Sequence, residues 1–151
     1  MKMNLLSTFL FTVVICGLLA FKPIWCKKQG IEGYLYKVSG NQMPSPDIKP
    51  RPPTGIKGTL YIYELTNISQ AVKKEGSFYS SVSTRLIRKV ETNSKGYFKV
   101  KLPPGRYSLF IKKDELFYSN QFDSENNIAP VEVLPKKMVK VEFRMDYDAV
   151  Y

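Results

Sequence analysis

The chain has no histidine among its 151 residues. Without imidazole there is no Ser-His-Asp or Cys-His activation of a nucleophile, no histidine zinc centre, and no side chain that ordinarily titrates near neutrality. Cysteine is almost as scarce. Of the two present, Cys16 lies inside an apolar N-terminal run. A chain that loses this run keeps at most Cys26, and can form neither an intramolecular disulfide nor a thiolate metal site. No glycine-rich phosphate loop and no internal repeat are found. No cofactor is expected. Catalysis would have to rest on carboxylates alone, and the 13 acidic residues fall mostly on outward strand positions or in turns, not in an arrangement that marks a cleft.

What the sequence does contain is β-structure. Its organising stretch is Thr92–Ile111, TNSKGYFKVKLPPGRYSLFI. Phe98, Val100 and Leu102 alternate with Tyr97, Lys99 and Lys101, the period of two expected of a strand with one buried and one wet face. Pro103-Pro104-Gly105 ends the ladder, since proline has no N–H to donate and glycine takes positive φ freely. Alternation resumes at Tyr107, Leu109 and Ile111, with Phe110 on the outward set. The expectation is a hairpin closed by the Pro-Pro-Gly turn.

The pattern T-x-x-x-G-x-F-x-V-x-L-P-P-G-x-Y-x-L over Thr92–Leu109 resembles the carboxypeptidase regulatory-like domain, a transthyretin-like (prealbumin-like) β-sandwich used widely by bacterial envelope proteins. The resemblance extends from Gly30 to about Asp146, with a longer proline-rich connection at 39–58 than the common module has. It implies an accessory, non-catalytic role. The hydrolase branch of the transthyretin-like fold relies on histidines, and this chain has none.

The N-terminus reads as an export signal. One lysine in the first four residues precedes 17 uncharged residues, Leu5–Phe21, and Lys22-Pro23 breaks the run. Seventeen residues is short for a membrane span, and the following Lys22, Lys27 and Lys28 oppose the orientation that would export the rest from a retained anchor. Cleavage is expected between about 20 and 26, leaving a single domain, 27–151. Cys26 is a candidate lipidation site, opposed by Trp25 where a lipobox needs a small residue. Localisation is thus exported, in the periplasm, at the outer membrane or outside the cell, with signal-anchored and lipoprotein forms as alternatives. The net charge of +10 falls to +8 on loss of Lys2 and Lys22. The remaining lysines are scattered over outward positions such as Lys99, Lys101, Lys112 and Lys140, as on a solvated sheet face. Export leaves no nucleic-acid partner, whereas an envelope protein, an anionic envelope polysaccharide or a lipid surface remains open.

Along the chain, 31–38, 59–66, 84–92, 130–134 and 138–145 complete about seven strands, and an all-β, antiparallel or mixed sandwich follows. Residues 39–58, with five prolines, form a surface loop or a polyproline strap. Residues 68–74 are expected to make one or two helical turns, and 146–151 a fraying tail. Asp123, Glu125 and Asn127 alternate like oxygen ligands but lack the glycine and the distal glutamate of a calcium loop, so a plain turn is expected. Two groups of rings are candidate partner-binding residues. Tyr61 and Tyr63 sit on one face of their strand, either as a platform or covered by a loop. Phe117, Tyr118 and Phe122 are either tucked onto the core or exposed as a patch. The function expected is a non-catalytic exported binding or structural module of the cell envelope. A carbohydrate-binding-like module or a small carboxylate-dependent hydrolase are the alternatives.

Overall fold

The computed structural model describes residues 29–43 and 52–151. The expected leader, Cys26 and the centre of the proline-rich connection lie outside the described residues. Among the described residues eleven strands succeed one another: β1 (Gly30–Asn41), β2 (Thr54–Gly55), β3 (Thr59–Glu64), β4 (Ala71–Glu75), β5 (Phe78–Val82), β6 (Leu86–Glu91), β7 (Tyr97–Lys101), β8 (Gly105–Lys113), β9 (Leu116–Tyr118), β10 (Pro130–Val133) and β11 (Met138–Val150). They build two sheets. In the smaller, β1 is central, with β11 on one side and β7 and β2 on the other; the larger runs β4-β5-β9-β8-β3-β6, with β10 also paired to β8.

Strand alternation places the core. Ile31, Leu35, Phe98, Val100 and Phe143 come from the small sheet, and Leu60, Ile62, Leu109, Ile111 and Tyr118 from the large one, all buried. At about 1.5–3 kcal/mol for each large apolar side chain withdrawn from water, this layer carries the fold. The first and last strands pair in parallel from Gly30↔Met138 to Asn41↔Val150, with one register shift. Gly33 is needed there, because a Cβ would come within 1.7 Å of the Val141 carbonyl oxygen.

The Thr92–Leu109 motif is accounted for by packing. Thr92 is buried; its hydroxyl donates to the Ile56 carbonyl and accepts from the Gly58 N–H, both at 2.8 Å. It thereby ties down the end of the proline-rich connection. Asn93 accepts from the Lys95 and Tyr97 amides and shapes the turn. Gly96 then takes φ +81°, where its carbonyl receives the Leu35 N–H at 2.8 Å and any Cβ would strike the Leu35 oxygen. Tyr107 donates its hydroxyl to the Pro103 carbonyl at 2.9 Å and clamps the Pro-Pro-Gly turn.

That turn is a corner, not a hairpin. β7 pairs with β1 in the small sheet, whereas β8 pairs with β3, β9 and β10 in the large one. Other sequence expectations give way as well. Residues 71–75 form a strand, β4, after a single 3₁₀ turn at Ile68–Gln70, because pairing with β5 supplies hydrogen bonds that an isolated helical turn lacks. Residues 78–82, β5, form the other strand of that hairpin. The expected tail at 146–150 continues β11 beside Ser39–Asn41. Of the proline-rich connection, its start is the end of β1, and Thr54–Gly55 adds a short strand to β1 at Lys37 and Tyr36.

Candidate functional site

On the side of β1 facing away from the core stand Glu32, Tyr34 and Tyr36. The pairings arrange their neighbours in rows across three strands: Lys99–Glu32–Lys140, then Tyr97–Tyr34–Glu142, then Gly55–Tyr36–Arg144. Tyr34 and Tyr36 lie with ring centroids 5.8 Å apart and planes 15° from parallel, and Tyr97 leans on Tyr34 at 5.4 Å and 60°. Tyr34 remains 40 % exposed. Lys99 pairs with Glu32 at 2.9 Å, and the Tyr97 hydroxyl donates to the same carboxylate. The Lys99 hydrogen bond, helped by Tyr97 and Lys140, holds the Glu32 carboxyl below the usual glutamate range, and Glu32 in turn raises Lys99. This is an aromatic surface ringed by charge, with hydroxyls, ammonium groups and carboxylates available to a ligand.

The candidate residues singled out from sequence lie elsewhere. Tyr61, Tyr63 and Phe117 do come together, but with Phe110 and Tyr79 and largely out of solvent. Tyr63 stands edge-on to Phe110 at 5.6 Å and to Phe117 at 5.8 Å, Tyr61 to Phe117 at 5.3 Å, and Tyr79 to Phe110 at 5.9 Å. Edge-to-face rings at such spacings satisfy one another. Tyr61 keeps an accessible flank, over which Lys89 sits 4.9 Å from the centroid. Tyr118 faces the other way, into the inter-sheet core, and is 1 % exposed. Its hydroxyl donates to Asp146, which also accepts from Asn120 and Tyr151, and burial pushes the phenol well above its usual range. Phe122, by contrast, is 46 % exposed. The stretch Leu116–Phe122 is therefore not one exposed patch. β9 pairs with both β5 and β8, half-burying Phe117 in the outer ring group and burying Tyr118 in the core, and leaves Phe122 outside.

Asp123 caps a turn. Its carboxylate accepts from the Glu125 and Asn127 amides and the Asn127 side chain, and pairs with Arg106 at 3.3 Å. Among the described residues no group of three or more metal-ligating side chains is assembled. A cleft of about 500 Å³ lies among Glu64, Arg85, Leu86, Ile87, Pro103, Gly105, Arg106 and Tyr107. Glu64 is its one carboxylate and is paired with Arg85 at 2.6 Å, so the two convergent acids of a carboxylate hydrolase do not meet there.

Sequence reasoning passed over Tyr34, Tyr36 and Tyr97 as a group. Both halves of the signal were legible: two tyrosines alternating in IEGYLYKV and one opening YFKVK. What unites them is the β1–β7 pairing, between strands more than 60 residues apart. Compared with known proteins, the chain matches no family model, no curated protein and no solved structure. Among the described residues no helix is long and apolar enough to cross a membrane.

Proposed function

We propose that the chain is a non-catalytic binding module, exported to the cell envelope, whose working surface is the outer face of the small sheet. The observation that carries this is the Tyr34–Tyr36–Tyr97 group, packed ring to ring on the outer face with Tyr34 40 % exposed and Tyr36 and Tyr97 half-buried. Tyrosine offers large contact area at low conformational cost, and bare aromatic surface costs solubility unless something uses it. The N-terminal pattern of lysine, apolar run and Lys-Pro break supports export. The Thr92–Leu109 motif and the two-sheet all-β architecture support kinship with carboxypeptidase regulatory-like domains, which act as accessories to other proteins or polymers.

The test is Tyr34→Ala combined with Tyr36→Ala in the full chain. The melting temperature should stay within a few degrees, because Tyr34 is exposed and Tyr36 half-buried on the outer face, where surface substitutions usually contribute about 0.5 kcal/mol or less each. Capture of an envelope component that wild type retains should be lost. Unchanged capture, or collapse of the fold, would overturn the assignment of this face.

A further inference from the structure

The lysine and tyrosine rows form a strip. From Gly30 to Tyr36 it runs about 20 Å along β1, at about 3.3 Å per residue, and three strands make it about 10 Å wide. A narrow extended polymer follows this outline.

Charge along the face is uneven. Lys99 and Lys140 flank Glu32, Lys101 stands beside Gly30 at the same end, and Lys136 and Lys137 lie in the turn that carries the chain to β11, where Gly30 donates its N–H to the Lys137 carbonyl. Glu32 is the one carboxylate among these lysines and is bound to Lys99. Lys101, Lys136, Lys137 and Lys140 make no ion pair among the described residues. The far rows hold the tyrosines, with Glu142 and Arg144 paired at 3.4 Å beside them.

Resting on the reading of this face as a binding surface, the geometry points to an extended anionic polysaccharide as its ligand. The chain lies along β1, the acidic groups of the sugars over the lysine end meeting ammonium groups and the hydroxyls of those over the other end meeting the phenols and the Glu142 carboxylate. A lipid headgroup surface would use the lysines and leave the tyrosine rows idle. Single-stranded nucleic acid needs open ring faces for its bases, whereas Tyr34 and Tyr36 turn theirs toward one another. An acidic peptide would dock on a strand edge, where backbone groups are free, not on a face.

The experiment keeps the full chain in neutral detergent and measures its affinity for polygalacturonate. Uncharged dextran, phosphatidylglycerol mixed micelles and oligothymidylate serve as comparison probes. Polygalacturonate should bind with affinity that falls as salt is raised, and dextran should not bind. Lys101→Ala with Lys140→Ala should weaken binding by about tenfold or more and flatten the salt dependence. Tyr34→Ala with Tyr36→Ala should weaken it comparably and leave the salt slope unchanged. Lys73→Ala with Lys74→Ala, which removes equal charge from β4, should change little. Equal losses from the β4 pair, indifference to the tyrosine pair, or tighter tyrosine-dependent binding of micelles or oligothymidylate would overturn the inference. If polygalacturonate fails to bind while the tyrosine pair still governs capture from envelope material, the ligand class falls and the binding module stands. If that pair governs neither, both fall.

Discussion

The two sheets each carry a group of tyrosines on alternating strand positions, and the two groups meet opposite fates. On the large sheet Tyr61 and Tyr63 are joined by Phe110, Phe117 and Tyr79, contributed by β8, β9 and β5, so ring closes over ring. On the small sheet Tyr34 and Tyr36 have Tyr97, Glu142, Arg144 and Gly55 as cross-strand neighbours. None of these neighbours adds a further ring over the group, and Tyr34 stays 40 % exposed. The residue type is the same and so is its period. What separates a covered cluster from an open one is what the paired strands bring alongside.

The sharpest way to break this comparison is to truncate the centre of the closed group. Phe110 is fully buried among Tyr63, Tyr79 and Phe117. Phe110→Ala should cost about 3–5 kcal/mol in chemical denaturation, as phenylalanine cavities do. Phe98→Ala, in the inter-sheet core, should cost a similar amount, with its neighbour Lys99→Ala nearly silent. A loss at Phe110 no larger than that of an exposed tyrosine would mean the outer ring group is loosely packed and the two groups do not differ in kind.

Phe98 and Phe110 also mark how far the sequence could be followed. The alternation around Phe98 is local and was sufficient to place it inside. Phe110 fell on the outward set of its strand, and nothing nearby in sequence says that Tyr63, Tyr79 and Phe117 return to cover it. The same gap explains the Pro-Pro-Gly segment. Turn chemistry shows that β7 stops, but whether β8 pairs back on it or crosses to the other sheet depends on β1 and β3, which are distant in the chain. Residues 146–150 looked like a tail because their partner, the end of β1, lies more than 100 positions away. For the candidate site, the individual tyrosines were visible in sequence, but which ones share an open face was a matter of pairing.

A smaller effect of opposite sign tests the closed group from within. The Tyr79 hydroxyl is buried and has no hydrogen-bond partner among the described residues, and burial raises its pKa. An unsatisfied buried polar group costs about 1–3 kcal/mol. Tyr79→Phe should therefore leave the fold as stable as before or more stable by about 1 kcal/mol. A clear loss would show that this hydroxyl is engaged and that the group is less dry than its ring packing implies.

The smallest expected effect on stability lies on the open side, at Glu32. Its folded pKa is lowered, chiefly by the hydrogen bond from Lys99. The stabilisation it brings is present above the unfolded glutamate value and is lost as pH falls through the folded one. Lys99 is raised by the same bond, so its share is present below the ordinary lysine range and disappears as pH climbs through the elevated value. Across the neutral range the pair is intact, yet it is solvent-accessible and screened, so it contributes little. Glu32→Gln should then leave the neutral melting temperature nearly unchanged and flatten its decline at acid pH. Binding should move the other way: with the one carboxylate gone from the lysine rows, affinity for an acidic polysaccharide should rise and its salt dependence steepen. A marked loss of stability at neutral pH would instead make the Glu32–Lys99 pair a structural tie between β1 and β7. The open face could then not be altered independently of the fold, and its contrast with the closed group would fail at that point.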